Sequence, residues 1–128
     1  MQLTLRDGLL LVPVTIGHLG REIVVPDVVV DTGSATTLVS ADVVAPVGIV
    51  PELDDVLHVV RGVGGAEVVF SRRVQRFAVG EHSVEGFEIE VGAIDGAFDI
   101  NGILGVDFLL GAGAIINLRT LEILFASE

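Results

Sequence analysis

Cysteine, tryptophan, tyrosine and lysine are missing from this 128-residue chain. Without cysteine there is no disulfide to brace the fold and no thiolate to act as nucleophile or soft metal ligand, although the absence fixes no compartment. Without lysine, the cationic side chains are a handful of arginines, of which only Arg72, Arg73 and Arg76 cluster. The net charge is -11 at pH 7, which excludes a nucleic-acid surface, since binding phosphates needs a basic face. The acidity reads either as a well-solvated surface or as a field that favours basic substrates and weakens self-association. Long apolar runs are also lacking. Pro, Gly, Asp or Arg interrupts each one well short of the roughly 18 residues that a membrane span requires, so no membrane partner is expected. Met1-Gln2-Leu3-Thr4-Leu5-Arg6-Asp7 has no basic segment followed by an apolar one, so no secretory signal is expected and a soluble, cytoplasmic domain is.

What is abundant is valine, within an apolar share of 51%. β-branched side chains pack well on pleated surfaces and are poorer helix formers, so an all-β fold is expected. The length suits one domain, 1–128, with no linker, repeat or low-complexity tract to divide it.

Strands are expected from Leu9 to Ile16 and from Arg21 to Val30, joined by a turn at Gly17-His18-Leu19-Gly20. Pro26-Asp27 should mark an edge position or a bulge in the second, because Pro cannot donate to a ladder. Val28-Val29-Val30 is a continuous apolar run leading into Asp31, as in a strand buried on both faces. Thr37-Leu38-Val39 reads as a strand, and Ser40 as the cap of a helical turn stopped by Pro46. Val56 to Val60 and Ala66 to Phe70 form a hairpin with a glycine-rich tip. Further strands are expected at Val74 to Val79 and Ser83 to Val91, with one short helix at Val106 to Leu110. In the tail, Ala114 to Leu118 should pair with Leu121 to Phe125.

Three separated segments carry the chemistry: Asp31-Thr32-Gly33-Ser34, Arg61-Gly62-Val63-Gly64-Gly65, and Gly102-Ile103-Leu104-Gly105-Val106-Asp107-Phe108-Leu109. Each alone has an ordinary structural reading: a turn in which Asp and Ser satisfy backbone groups, a hairpin tip, and a helix start where Gly permits close packing. In this order and spacing they resemble the retropepsin-like aspartic peptidases, over nearly the whole chain. The resemblance implies the acid-protease fold of that family, a closed barrel-like sheet with a flap hairpin and one short helix.

It also implies roles at the matching positions. Asp31 is the catalytic carboxylate, Thr32 ties two D-T-G loops together across a dimer axis, and Gly33 lets the loop turn and bring its N–H toward the carboxylate. Arg61, Gly62, Val63, Gly64 and Gly65 form the flap over bound peptide. Ile103, Leu104 and Gly105 pack behind the catalytic loop, with Asp107 in the supporting segment. Two positions depart from the family pattern. Ser34 stands where many retroviral members carry alanine, and is expected to hydrogen-bond the outer carboxylate oxygen. Arg61 beside the flap either faces solvent, selects acidic side chains or seals the flap.

Hydrolysis of this kind needs one carboxylate to take a proton from water and another to protonate the carbonyl. The chain has no second D-T-G or D-S-G, and Asp95-Gly96 and Asp99 lack the preceding apolar strand. One chain supplies half a site, and a two-fold axis supplies the rest from a second copy. At about 4 Å and an effective dielectric of about 20, two like charges repel by roughly 4 kcal/mol. The pair therefore shares one proton, the general behaviour of aspartic-protease carboxylates. The expected partners are a second copy of the chain and a peptide or protein substrate. Leu121 to Phe125 is apolar enough to join a dimer interface, as terminal strands often do in the family.

No cofactor or metal is expected. His18, His58 and His82 are dispersed, and Gly62 to Gly65 has no following Lys-Ser or Lys-Thr for phosphate. The alternative from another class is a dimerisation or peptide-binding module with the same fold and weak or no catalysis.

Overall fold

The computed structural model describes residues 1–62, 65–94 and 99–126. Among the described residues ten strands and two short helices follow one another as β1 (Thr4–Arg6), β2 (Leu9–His18), β3 (Arg21–Val30), β4 (Leu38–Ser40), α1 (Ala41–Val44), β5 (His58–Gly62), β6 (Gly65–Val79), β7 (His82–Gly92), β8 (Gly102–Leu104), α2 (Val106–Ala112), β9 (Ala114–Asn117) and β10 (Glu122–Phe125). The expected all-β architecture with a closed sheet is found. The order β1-β2-β3-β8-β4-β7-β6-β5, with β6 pairing back onto β2, makes a ring-like mixed sheet. Among the described residues no helix is long and apolar enough to cross a membrane.

Several boundaries differ from expectation for identifiable reasons. β2 runs two residues further than expected, to His18, while β3 has the expected bounds, and the two meet in a two-residue turn, Leu19-Gly20, with His18 opposite Arg21. Both turn residues have positive φ (52° and 73°), the backbone twist that matches flanking strands. Pro26-Asp27 does form a bulge. The register shifts between Val12↔Val28 and Val14↔Val25, so two residues of β3 oppose Pro13. Pro46 does not stop the helical path after α1. It lies in the first turn of a 3-10 segment, Ala45–Val47, where its missing N–H costs nothing, and Gly48 at φ 86° ends the segment. Ser40 stands at the N-cap of α1 without a side-chain capping bond.

The two strands expected at Ala66 to Phe70 and Val74 to Val79 are one, β6, whose polar centre Ser71-Arg72-Arg73 stays in register with β7. α2 continues past Gly111 and ends at Gly113, whose φ of 60° suits a left-handed cap.

Side chains from across the ring fill the core: Ile16, Val25, Val39, Phe77, Ile89, Leu104 and Phe108 are fully or almost fully buried. Phe108 fixes α2 to this core, with its ring centroid 5.2 Å from that of Phe77 and 5.8 Å from that of Phe87. Burial of such a side chain contributes about 1.5–3 kcal/mol. In the tail, β9 and β10 pair as expected, Ile115 opposite Leu124. The other edge of β10 is taken within the same chain, because Leu3 donates to Leu121 O at 2.7 Å and Ile123 donates to Met1 O at 2.9 Å.

Candidate active site

β3 and β4 are consecutive in sequence yet not neighbours in the sheet. The three-residue strand β8 runs between them, parallel to β3 (Val28↔Gly102, Val30↔Leu104) and antiparallel to β4 (Leu38↔Ile103). The connection from β3 to β4, which carries Asp31-Thr32-Gly33-Ser34, must therefore arch over the end of β8. Sequence periodicity gave no warning of β8, since three residues are too few to show a period. The arch brings the first and third segments singled out in the sequence into one cluster.

The arch is pinned by its own backbone and by β8. Asp31 N–H donates to Leu104 O at 3.0 Å, Ser34 N–H donates to Asp31 O at 3.2 Å, and Val106 N–H donates to Ser34 O at 2.8 Å. Gly33 N–H donates to Asp31 Oδ1 at 2.8 Å. A Cβ at Gly33 would lie 3.1 Å from that same oxygen, so the residue turns its bare Cα toward the carboxylate. The Asp31 side chain is partly exposed, and Thr32 and Gly33 are exposed beside it. The carboxylate is thus held from one side and open to solvent on the other.

Behind the arch, Gly105 fits where no other residue does. A Cβ there would approach Thr36 O to 2.4 Å and Ser34 O to 2.9 Å. Leu104 is fully buried, and Ile103 is partly buried between β3 and β4. Asp107, at the start of α2, reaches across to the end of the arch, just before β4: Thr37 Oγ1 donates to Asp107 Oδ1 at 2.7 Å and Thr37 N–H to Oδ2 at 3.1 Å. In the sequence Thr37 reads only as part of a strand, because Thr37-Leu38-Val39 looks like any short strand run. A threonine at an otherwise apolar position, with an acid just after I-L-G, was the available signal.

Ser34 behaves otherwise than expected. Its hydroxyl donates to Thr36 O at 2.8 Å. A hydroxyl has one proton, so it is spent inside the loop and not on the Asp31 carboxylate.

The glycine-rich hairpin is formed by β5 and β6, in register down to Gly62↔Gly65, with Arg61 opposite Ala66. Of the expected flap positions, Val63 and Gly64 lie outside the described residues. At the hairpin's base, His58 Nε2 lies 2.7 Å from Glu90 Oε2, which also accepts from Ser71 Oγ at 3.0 Å. Arg72 reaches from β6 to the loop before β5. It bonds the Glu52 carboxylate, Asp55 Oδ2 at 2.6 Å and Val50 O at 3.1 Å, and lies over the Phe70 ring at 5.2 Å. Among the described residues no group of three His, Asp or Glu side chains is placed to hold a metal ion.

The arrangement offers one open, backbone-anchored carboxylate on a loop bonded to β8 and α2. A family model described as "Aspartyl protease" matches residues 12–108, which include both the arch and the segment behind it. No curated protein matches the chain.

Proposed function

Because the chain belongs to an aspartyl protease family of the retropepsin-like clan, we propose that it is an aspartic endopeptidase whose active site is completed by a second copy. Asp31 from each protomer would meet at a two-fold axis, with Thr32 of each loop bonding across it. The single observation that carries this reading is the arch: it presents one carboxylate, fixed by Gly33 N–H at 2.8 Å and otherwise open, on a chain with no second D-T-G or D-S-G.

The chemistry follows from sharing one proton between two acids. The ionised carboxylate takes a proton from a water held between the pair, and the water oxygen attacks the scissile carbonyl carbon. The protonated carboxyl gives its proton to the carbonyl oxygen, leaving a neutral gem-diol. One carboxyl then protonates the amide nitrogen while the other carboxylate takes a proton from a gem-diol hydroxyl; the C–N bond breaks, an acid and an amine leave, and the pair again holds one proton. No covalent intermediate forms, and no cofactor or metal takes part. The hairpin of β5 and β6 is assigned as the flap that closes over bound peptide and excludes bulk water.

Substitution of Asp31 by Asn is the direct test. Asp31→Asn removes the acid while keeping the acceptor for Gly33 N–H, so cleavage of a diverse peptide library should vanish while thermal stability stays near that of the unmodified protein. Cleavage at the original rate would remove Asp31 from the mechanism.

A further inference from the structure

Thr37 is fully buried, and among the described residues it is the one buried residue with a polar side chain. Its hydroxyl is engaged both ways: it accepts from Gly105 N–H at 3.1 Å and donates to Asp107 Oδ1 at 2.7 Å. Both oxygens of Asp107 are engaged as well. Oδ1 takes a second bond from Phe108 N–H at 2.8 Å, and Oδ2 takes Thr37 N–H at 3.1 Å. Every group aimed at this carboxylate is a donor, so it serves as an acceptor only.

Residues 104–107 hold the arch at three points. Its start is tied at Asp31 N to Leu104 O, its middle at Ser34 O to Val106 N, and its end at Thr37 to Asp107 and Gly105. The first two ties are backbone to backbone and survive any substitution that keeps the chain path. The third is made by side chains and is the one that sequence can tune.

We propose that Thr37 and Asp107 are positioning residues for catalysis: their bonds set where the arch presents Asp31, and hence the separation of the two carboxylates across the dimer axis. This rests on the peptidase reading above. The Thr37 hydroxyl is six residues from Asp31 in the chain and touches no reacting atom; it acts through the loop. Displacement of a reacting group by about 1 Å costs roughly 100-fold in rate, so a loosened third tie is felt at Asp31 before it is felt in the rest of the fold.

The test uses the full chain carrying Thr37→Val, which keeps the shape and removes the hydroxyl, with Thr37→Ser as the variant that restores it. Active sites are titrated with a statine-containing peptide, so that rates refer to assembled sites alone. Thr37→Val is expected to lower kcat per titrated site roughly 10- to 100-fold, leave KM within about two-fold, and shift the limbs of the pH–rate profile, because carboxylate separation governs how strongly the pair shares its proton. A general loss of stability would lower the amount of titratable enzyme and move none of these. Thr37→Ser should restore most of the rate.

Should Thr37→Val fail to fold, Asp107→Asn carries the same expectation, since its amide sets an N–H group against Thr37 N–H while retaining an oxygen for the other two donors. The Gly33 amide proton resonance, which reports the bond to Asp31, should move in either variant, and that readout holds even if the unmodified protein cleaves nothing and the peptidase reading falls. A folded Thr37→Val with unaltered kcat, pH profile and Gly33 resonance overturns the proposal.

Discussion

Gly105 lies so close to Thr36 that a Cβ added to it would come within 2.4 Å of the Thr36 carbonyl oxygen and 2.5 Å of the carbonyl carbon. The neighbour is backbone on both counts, so nothing flexible can swing aside. Its φ of -93° is open to any residue, which means the requirement for glycine here comes from proximity and owes nothing to handedness. Gly105→Ala should therefore push the arch off β8 and destabilise the protein by about 1–3 kcal/mol or more, as overpacking does. At this size that is a fall of roughly 4 °C in Tm per kcal/mol. Calorimetry checks it, and an unchanged Tm would mean that β8 and the arch are less tightly apposed than described.

A second prediction concerns Arg72. Its guanidinium gathers Glu52, Asp55 and the Val50 carbonyl and lies over Phe70, while only 12% of the side chain is exposed. Asp55 also accepts Glu52 N–H at 2.6 Å, so the acids hold the loop's own turn as well as the arginine. Arg72→Met keeps the packing on Phe70 and removes the ionic contacts. The expected cost is about 1–3 kcal/mol, more than an exposed pair and less than a fully buried one. Amide exchange in residues 50–57 should accelerate while the sheet-paired strands β2, β3 and β7 stay protected. Equal acceleration throughout would show a global effect and contradict a local role for Arg72 in holding this loop.

Much of the site was legible in the sequence because its parts are local. D-T-G-S follows an apolar strand, and I-L-G precedes a short amphipathic helix; both patterns span only a few residues and appear where expected. What escaped reading was non-local or too short. β8 has three residues and takes its identity from the strands on either side. β6 reads as two strands because Ser71-Arg72-Arg73 breaks the apolar pattern, although Arg72 is largely covered by the loop that folds over it. Ser34 looks like a ligand for Asp31 until the turn places Thr36 O nearer to its hydroxyl. Thr37 and Asp107 are 70 positions apart, and no spacing rule links them.

A third prediction follows from charge. With a net charge of -11 at pH 7, two copies repel one another at low ionic strength. Lowering the pH protonates carboxylates and histidines and reduces that repulsion, and added salt screens it over a Debye length of about 10 Å at 0.1 M. The proposed dimer should thus tighten from pH 8 toward pH 5 and with rising salt. Sedimentation at several pH values and salt concentrations measures this, and a dissociation constant indifferent to both would count against a repulsive field at the interface.

A fourth prediction is a bell-shaped pH–rate profile. If the proposed pair works with a single shared proton, activity should fall when both acids are protonated at low pH and when both are ionised at higher pH. The two limbs belong to the pair as a unit. A profile with a single limb would indicate one working acid per site.

Mixing unmodified protein with the Asp31→Asn variant tests the central claim most directly. If each site takes one Asp31 from each of two copies, only dimers of two unmodified chains cleave peptide. At constant total concentration, well above the dissociation constant and after subunit exchange, activity should follow the square of the unmodified fraction, falling to about one quarter at equal mixing. Activity proportional to that fraction, about one half at equal mixing, would mean that each chain carries a complete site by itself, and the account of Asp31 as half of a shared pair would be wrong.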